Sequence, residues 1–258
     1  TQWTLDYLEE HQSTSENPFF LYLAYNAPHF PIQPPEEYYE KVKKRESEIS
    51  EKRAKNVALI EHLDYNIGRI MSYLEKSGLL ENTLVIFTSD NGGALPYAQS
   101  NGKLRGSKQD MYEGGIKVPT YVVWKDKIAP NSTSDSFGML MDFFPTICDI
   151  TGADIPDKLP SISLSPVLKG KEMITDDRMV YWVRREGFRY GGKADYAVRY
   201  KDNKLLQYNP YLPLELYNVA EDPYETKKID TTGLEVSQEL FVGLKSFIQK
   251  SGEIKWQK

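Results

Sequence analysis

Two short stretches of this sequence place side chains capable of chemistry just after apolar runs, and a later loop adds a third set. LVIF leads into TSDNGG, residues 88–93, where Asp90 and Asn91 offer hard oxygen donors. The glycines behind them let the backbone turn sharply and approach an ion closely, so the pair points to a divalent hard cation. FFLYLAY leads into Asn26, Ala27, Pro28 and His29, and a later loop, LRGSKQDMYEGG, carries Lys108 and Glu113. Each stretch also has an ordinary reading. Asp-Asn-Gly after a strand is commonly a turn whose side chains cap local amides. A histidine flanked by prolines can be a half-exposed loop residue, and a loop lysine is usually solvated. Their common placement favours chemistry, because ligands of open α/β sheets lie beyond the carboxyl ends of the strands.

The elements that must carry these loops are legible from periodicity. Leu5 and Leu8 fit one face of a first helix, which the Asn17-Pro18 turn breaks. FFLYLAY reads as a strand buried on both faces. Ile60, Leu63, Ile67, Ile70 and Leu74 recur at spacings of three and four, predicting an amphipathic helix that stops at Ser77-Gly78. TLVIFTS and VPTYVVW read as two further strands. Strand, helix, strand in this order predicts parallel pairing through a right-handed crossover. FFPTICDITG predicts a helix ending at Gly152, and ADIPDKLPSISLSP a long surface connection. After it, RMVYWVRR, DYAVRYKDNKLLQY and LELYN predict short antiparallel strands, and LEVSQELFVGLKSFIQK a closing helix. The expected division is residues 1–173 and 174–258.

Composition narrows the function. The 258 residues carry 32 lysines and arginines against 37 aspartates and glutamates, a net charge of -5. Such a chain has no basic field to attract nucleic acid, and EKVKKRESE mixes acids among its bases, as a solvated helix face does. No apolar run is long enough to span a membrane, and no signal peptide precedes the first helix. The lone Cys148 cannot form an intramolecular disulfide and sits in an apolar helical pattern, as a buried structural thiol would. The chain opens in mid-helix at Thr1, which reads as a fragment or a trimmed piece.

Taken together, the motifs resemble the sulfatases of the alkaline phosphatase superfamily, in their C-terminal half. FFLYLAYNAPHFPIQPPEEY is similar to the segment that delivers a histidine to the sulfate group, and ENTLVIFTSDNGG to the strand and loop that supply two calcium ligands. LRGSKQDMYEGGIKVP resembles the family's LRGxKxxxxEGGxRVP, whose lysine binds sulfate oxygens. DFFPTICDITG, SLSPVLKG and LELYNVAEDPYET match further signatures in the same order. The resemblance implies an α/β fold, a partial alkaline-phosphatase-like sandwich with a mostly parallel sheet, plus a small C-terminal α+β subdomain with antiparallel strands. It implies Asp90 and Asn91 as Ca²⁺ ligands, Lys108 as a sulfate ligand, and His29 as a sulfate ligand or a general acid toward the leaving alcohol. Fixed cations aimed at the sulfuryl oxygens are what sulfate-ester hydrolysis needs. Glu113, Gly114 and Gly115 read as structural, and Lys117 stands where the family has arginine.

One element is missing. The family's nucleophile is a formylglycine made from Cys or Ser in the motif C/S-x-P/A-x-R, and this sequence has no such motif. The other calcium carboxylates also have no counterpart, and two side chains fall short of the six to eight oxygens Ca²⁺ takes. The expectation is therefore part of a sulfatase, inactive by itself, whose nucleophile lies upstream of residue 1. A phosphodiesterase or phosphonate hydrolase of the same superfamily, and a non-catalytic relative that binds sulfated glycans, are the alternatives. The implied partner is a sulfated small molecule or glycan, and the family implies export. The Asn131-Ser132-Thr133 sequon is too common to support it. Trp182, Arg184, Arg185 and Tyr190 are candidates for substrate contact, with packing of strand residues on the main sheet as the default.

Overall fold

The computed structural model describes residues 1–185, 194–209 and 211–252. These divide into two compact units: Thr1–Val85 with Ala94–Ser100 and Val123–Asp126, and Ile86–Gly93 with Asn101–Val122 and Lys127–Lys258.

The first unit is helical. Helices α1 (Gln2–Thr14), α2 (Glu36–Arg45) and α3 (Glu51–Lys76) make up most of it. The α3 helix starts where the Ser50 hydroxyl accepts a hydrogen bond from the Arg53 amide, and it stops before Gly78, whose φ of 75° suits glycine. Val42 of α2 packs with Ala54 and Ala58 of α3, all three fully buried, because alanine lets helix axes approach closely. Ile60 departs from the predicted face and is 44% exposed. It lies two residues past Ala58, roughly 200° around the helix, and so points away from α2. Leu8 of α1 is buried as expected. FFLYLAY differs more. It belongs to no strand ladder among the described residues, with Phe20 73% and Tyr22 82% exposed. Apolar sequence shows what a segment gains by burial, whereas burial itself needs a neighbouring layer.

The second unit holds the strands. β1 (Val85–Thr88) and β2 (Thr120–Val123) form a two-stranded sheet. Its cross-strand pairs are Thr88 with Thr120, whose hydroxyls are 3.1 Å apart, and Phe87 with Tyr121, whose rings are 6.2 Å apart. One index rises as the other falls, so the pairing is antiparallel. The chain turns back on itself through the 89–119 loops, and the helix that would carry a crossover is absent between them. A 3-10 turn at Leu95–Tyr97 and the one-turn α4 (Glu113–Ile116) are the helical pieces in those loops. The parallel crossover expected through the Ile60–Leu74 helix would have joined FFLYLAY to TLVIFTS, and among the described residues FFLYLAY pairs with no strand.

Beyond α5 (Phe143–Thr151) and α6 (Ser165–Leu168), strands β3 (Val180–Arg185), β4 (Ala194–Tyr200), β5 (Asn203–Gln207) and β6 (Glu215–Asn218) form an antiparallel meander in that order. Alternation along each strand gives the sheet two apolar faces. Val198, Leu205 and Leu216 pack under Leu240 and Leu244 of α7 (Glu235–Gly252). Ala197, Leu206 and Tyr217 face the other way and pack on Met111 and Tyr112, with Trp182 against them. The second face thus seats the loop that carries Lys108. A buried ion pair ties down the long connection: Arg178 grips both oxygens of Asp142, which is fully buried and also accepts the amides of Met139 and Ile162 at 2.7 and 3.1 Å. Cys148 is buried and free, as read from its pattern.

Candidate active site

The residues after β1 and those around Lys108 form one knot, built on three glycines. The Gly92 amide donates to the Gly115 carbonyl at 2.9 Å, and the Gly114 amide to the Arg105 carbonyl at 2.7 Å. A Cβ on Gly92 would lie 1.9 Å from the Gly114 carbonyl oxygen, and one on Gly115 would lie 2.1 Å from that of Asp110. Backbone meets backbone here with no room for a side chain, which explains the glycine pairs on physical grounds.

Gly93 is the second junction. Its carbonyl accepts the Lys108 amide at 2.9 Å and the Asn101 side-chain amide at 3.1 Å, while its own amide donates to Asn101 Oδ1 at 2.6 Å. Asn101 Nδ2 also reaches the Gly106 carbonyl at 3.0 Å. Asn101 therefore sutures the Asp90-Asn91 loop to the Lys108 loop. Sequence reasoning missed it, because nothing in NGKLRG marks an asparagine that bridges two loops. Asp110 braces the same turn by accepting the Ser107 amide at 2.7 Å.

Lys108 is half-buried, and its ammonium makes no hydrogen bond or ion pair with a described residue. Asp90 is exposed and likewise unpartnered. Asn91 donates from Nδ2 to the Gly92 carbonyl at 2.9 Å, which leaves Oδ1 available. A carboxylate and an amide oxygen on adjacent residues suit a hard cation such as Ca²⁺, so the donors fit. Among the described residues no group of three or more His, Cys, Asp or Glu is placed to bind a metal. His29 belongs to the first unit, where it is exposed. Its Nδ1 lies 2.7 Å from the Phe30 carbonyl, which can only accept, so Nδ1 carries the proton and Nε2 faces outward. The Asn26 turn that holds it is closed by the His29 amide to the Asn26 carbonyl at 2.8 Å, and Gln99 donates to the Pro28 carbonyl at 2.8 Å.

The other motif residues prove structural. Glu113 is buried and pairs with Lys204, as its structural reading implied. Arg105 lies over the Tyr112 ring at 3.9 Å and donates to the Tyr217 hydroxyl at 2.8 Å and the Glu225 carbonyl at 3.0 Å. Both tyrosine hydroxyls donate to Glu215, at 2.7 and 2.8 Å. Burial, then the Glu215 carboxylate, raises the Tyr217 hydroxyl to about 12, and Tyr112 is raised in the same way. Trp182 is partly buried against the core cluster, and Arg184 donates to the Gln109 carbonyl at 3.0 Å and pairs with Asp195, so both follow the packing default. Tyr190 and the Arg185 side chain lie outside the described residues.

A model of the sulfatase family matches residues 1–153, more than half of the sequence, and a model of the N-sulphoglucosamine sulphohydrolase C-terminal region matches residues 106–250. The chain belongs to the sulfatase family. It is 36% identical over 177 residues to YdeN, an uncharacterised sulfatase of Escherichia coli, covering 66% of this chain and 30% of that protein. To the N-acetylglucosamine-6-O-sulfatase of Bacteroides thetaiotaomicron it is 33% identical over 181 residues, covering 67% and 31%. The crystal structure of Ps i-CgsB in complex with k-i-k-neocarrahexaose superposes with a TM-score of 0.87 at 24% identity, over 95% of this chain and 53% of the other. The fold is thus the α/β, alkaline-phosphatase-like fold of the sulfatases. The chain spans about a third of the length of these curated relatives. No helix among the described residues is long and apolar enough to cross a membrane.

Proposed function

We propose that this sulfatase-family chain supplies the anion-binding and part of the metal-binding machinery for hydrolysis of sulfate monoesters on carbohydrates or aryl alcohols. The observation that carries the reading is Lys108: a half-buried lysine whose ammonium makes no ion pair with a described residue, fixed through its own amide to the loop of Asp90 and Asn91. Such a cation, held before substrate arrives, stabilises the charge that develops on sulfuryl oxygens. Asp90 and Asn91 would hold Ca²⁺ together with ligands from outside this chain, and such an ion would supply Lewis acidity toward a sulfate oxygen. His29 keeps Nδ1 engaged with its own backbone, so Nε2 is the atom that meets a sulfate oxygen or protonates the departing alcohol. The nucleophile, a formylglycine in the family, is supplied by sequence upstream of residue 1, and the 258-residue chain alone turns over no substrate. A carbohydrate substrate is supported by the Bacteroides relative, whose name specifies a sulfated sugar.

The test is a titration of the chain with inorganic sulfate, followed by backbone amide resonances, in wild type and Lys108→Ala. Saturable shifts at residues 91–93 and 107–109 that vanish in the variant are expected, with no hydrolysis of an aryl sulfate. No binding by wild type, equal binding by Lys108→Ala, or saturable turnover by the chain overturns the proposal.

A further inference from the structure

Lys204 is fully buried in β5, a position where a lysine is costly unless it is paired. It pairs twice, with Glu113 and with Glu225, at 2.8 Å each. Glu225 is fully buried too, in a tight turn at φ 54°. Its other carboxylate oxygen accepts the Glu113 amide at 2.6 Å, and its carbonyl accepts the Arg105 guanidinium at 3.0 Å. Arg105 and Glu113 are the two ends of the loop that presents Lys108. Both ends are therefore tied to one residue, and that residue is held by one lysine of the sheet. From Glu113 the chain passes directly into Gly114 and Gly115, whose carbonyls crowd and hydrogen-bond Gly92, next to Asn91.

We infer that Lys204 and Glu225 are positioning residues, clamping both ends of the Lys108 loop so that the ammonium and the Asp90-Asn91 pair keep their spacing. The inference rests on the anion-binding role of Lys108 proposed above. A fixed geometry matters because preorganised charges act on the transition state with no reorganisation at the moment of reaction. An apolar residue in place of Lys204 would pack this core with less desolvation. The charged triad adds direction, since each partner must sit at hydrogen-bonding distance from the ammonium.

Two variants test this. Glu225→Gln keeps the shape and the acceptor for the Glu113 amide but removes the ion pair, and Lys204→Met removes the ammonium. Amide hydrogen exchange is read at Gly92, Lys108 and Gly114, against Leu240 and Leu244 in α7 as internal controls. Exchange at least tenfold faster at the three loop amides, with the α7 amides within twofold of wild type in Glu225→Gln, is the expected result. A rise of the same factor at loop and helix in both variants, or no rise in either, overturns it. If Lys204→Met does not fold, Glu225→Gln decides alone. Sulfate affinity is the second readout. In Glu225→Gln it should fall at least tenfold, and combining this change with Lys108→Ala should produce no further loss. An undiminished affinity overturns the inference. Should wild type bind no sulfate, the Lys108 assignment fails, and the exchange rates still decide whether the clamp holds the loop.

Discussion

Replacing Gly92 by alanine is a one-carbon change whose consequence follows from distances. The new Cβ would stand 1.9 Å from the Gly114 oxygen, 2.8 Å from its carbonyl carbon and 3.1 Å from the Gly115 Cα. Ordinary contact begins at 3.4 Å, so the backbones must part by 1.5 Å, the difference of 3.4 and 1.9. Gly114 cannot retreat, since its amide is tied to Arg105 and its own position is crowded by the Arg105 and Gly106 carbonyls. Overpacking of this kind costs about 1–3 kcal/mol, and losing the hydrogen bond from Gly92 to Gly115 adds about 1 kcal/mol. The expected destabilisation is therefore about 2–4 kcal/mol. Gly68→Ala is the control. That glycine lies inside α3 with nothing within 4 Å of a built Cβ, so alanine should stabilise by about 0.5–1 kcal/mol. Urea unfolding of the two variants beside wild type gives both values from the midpoints. Gly92→Ala within about 0.5 kcal/mol of wild type, or a shift of the same sign in both variants, would refute the reasoning.

Other outcomes follow from the same structure. Arg178→Met strands the fully buried Asp142, and breaking such a pair should cost about 3–5 kcal/mol, read from urea midpoints. Lys108→Ala, by contrast, should leave stability within about 0.5 kcal/mol, because its ammonium has no partner to lose. Tyr217 makes stability fall at alkaline pH. Unfolded, the hydroxyl releases its proton near the ordinary 10.0, and folded near about 12. The unfolded chain sheds the proton first, so the stabilisation is complete below pH 10 and is lost as pH rises through 12. The loss should be on the order of 2 kcal/mol. Tyr217→Phe should lessen that decline in a pH series of urea melts, and an unchanged slope between pH 10 and 12 contradicts the assignment.

Much of this protein is written in its sequence. Local rules determined the end of α3, the extents of α5 and α7 and the antiparallel meander after residue 180, because the period of apolar residues and the turn residues act within a few positions. The candidate chemistry was equally local. Asp90 and Asn91 are adjacent, and Lys108 and His29 each sit in a short motif, so spacing alone could nominate them. Burial and partnership belong to the tertiary structure. Apolar content predicted a covered strand at FFLYLAY, yet no described residue pairs with it, and it is the fold that decides whether a covering layer is present. The direction of β2 against β1 depends on how the loops between them close, a non-local matter that apolar runs do not encode. Lys204 shows the limit most plainly. In the stretch KDNKLLQY it looks like any strand lysine, and only the meeting of β5 with Glu113, 91 positions earlier, and Glu225, 21 positions later, makes it a buried clamp. Desolvation and ion pairing are properties of the space around a charge, and that space is assembled from residues distant in the chain.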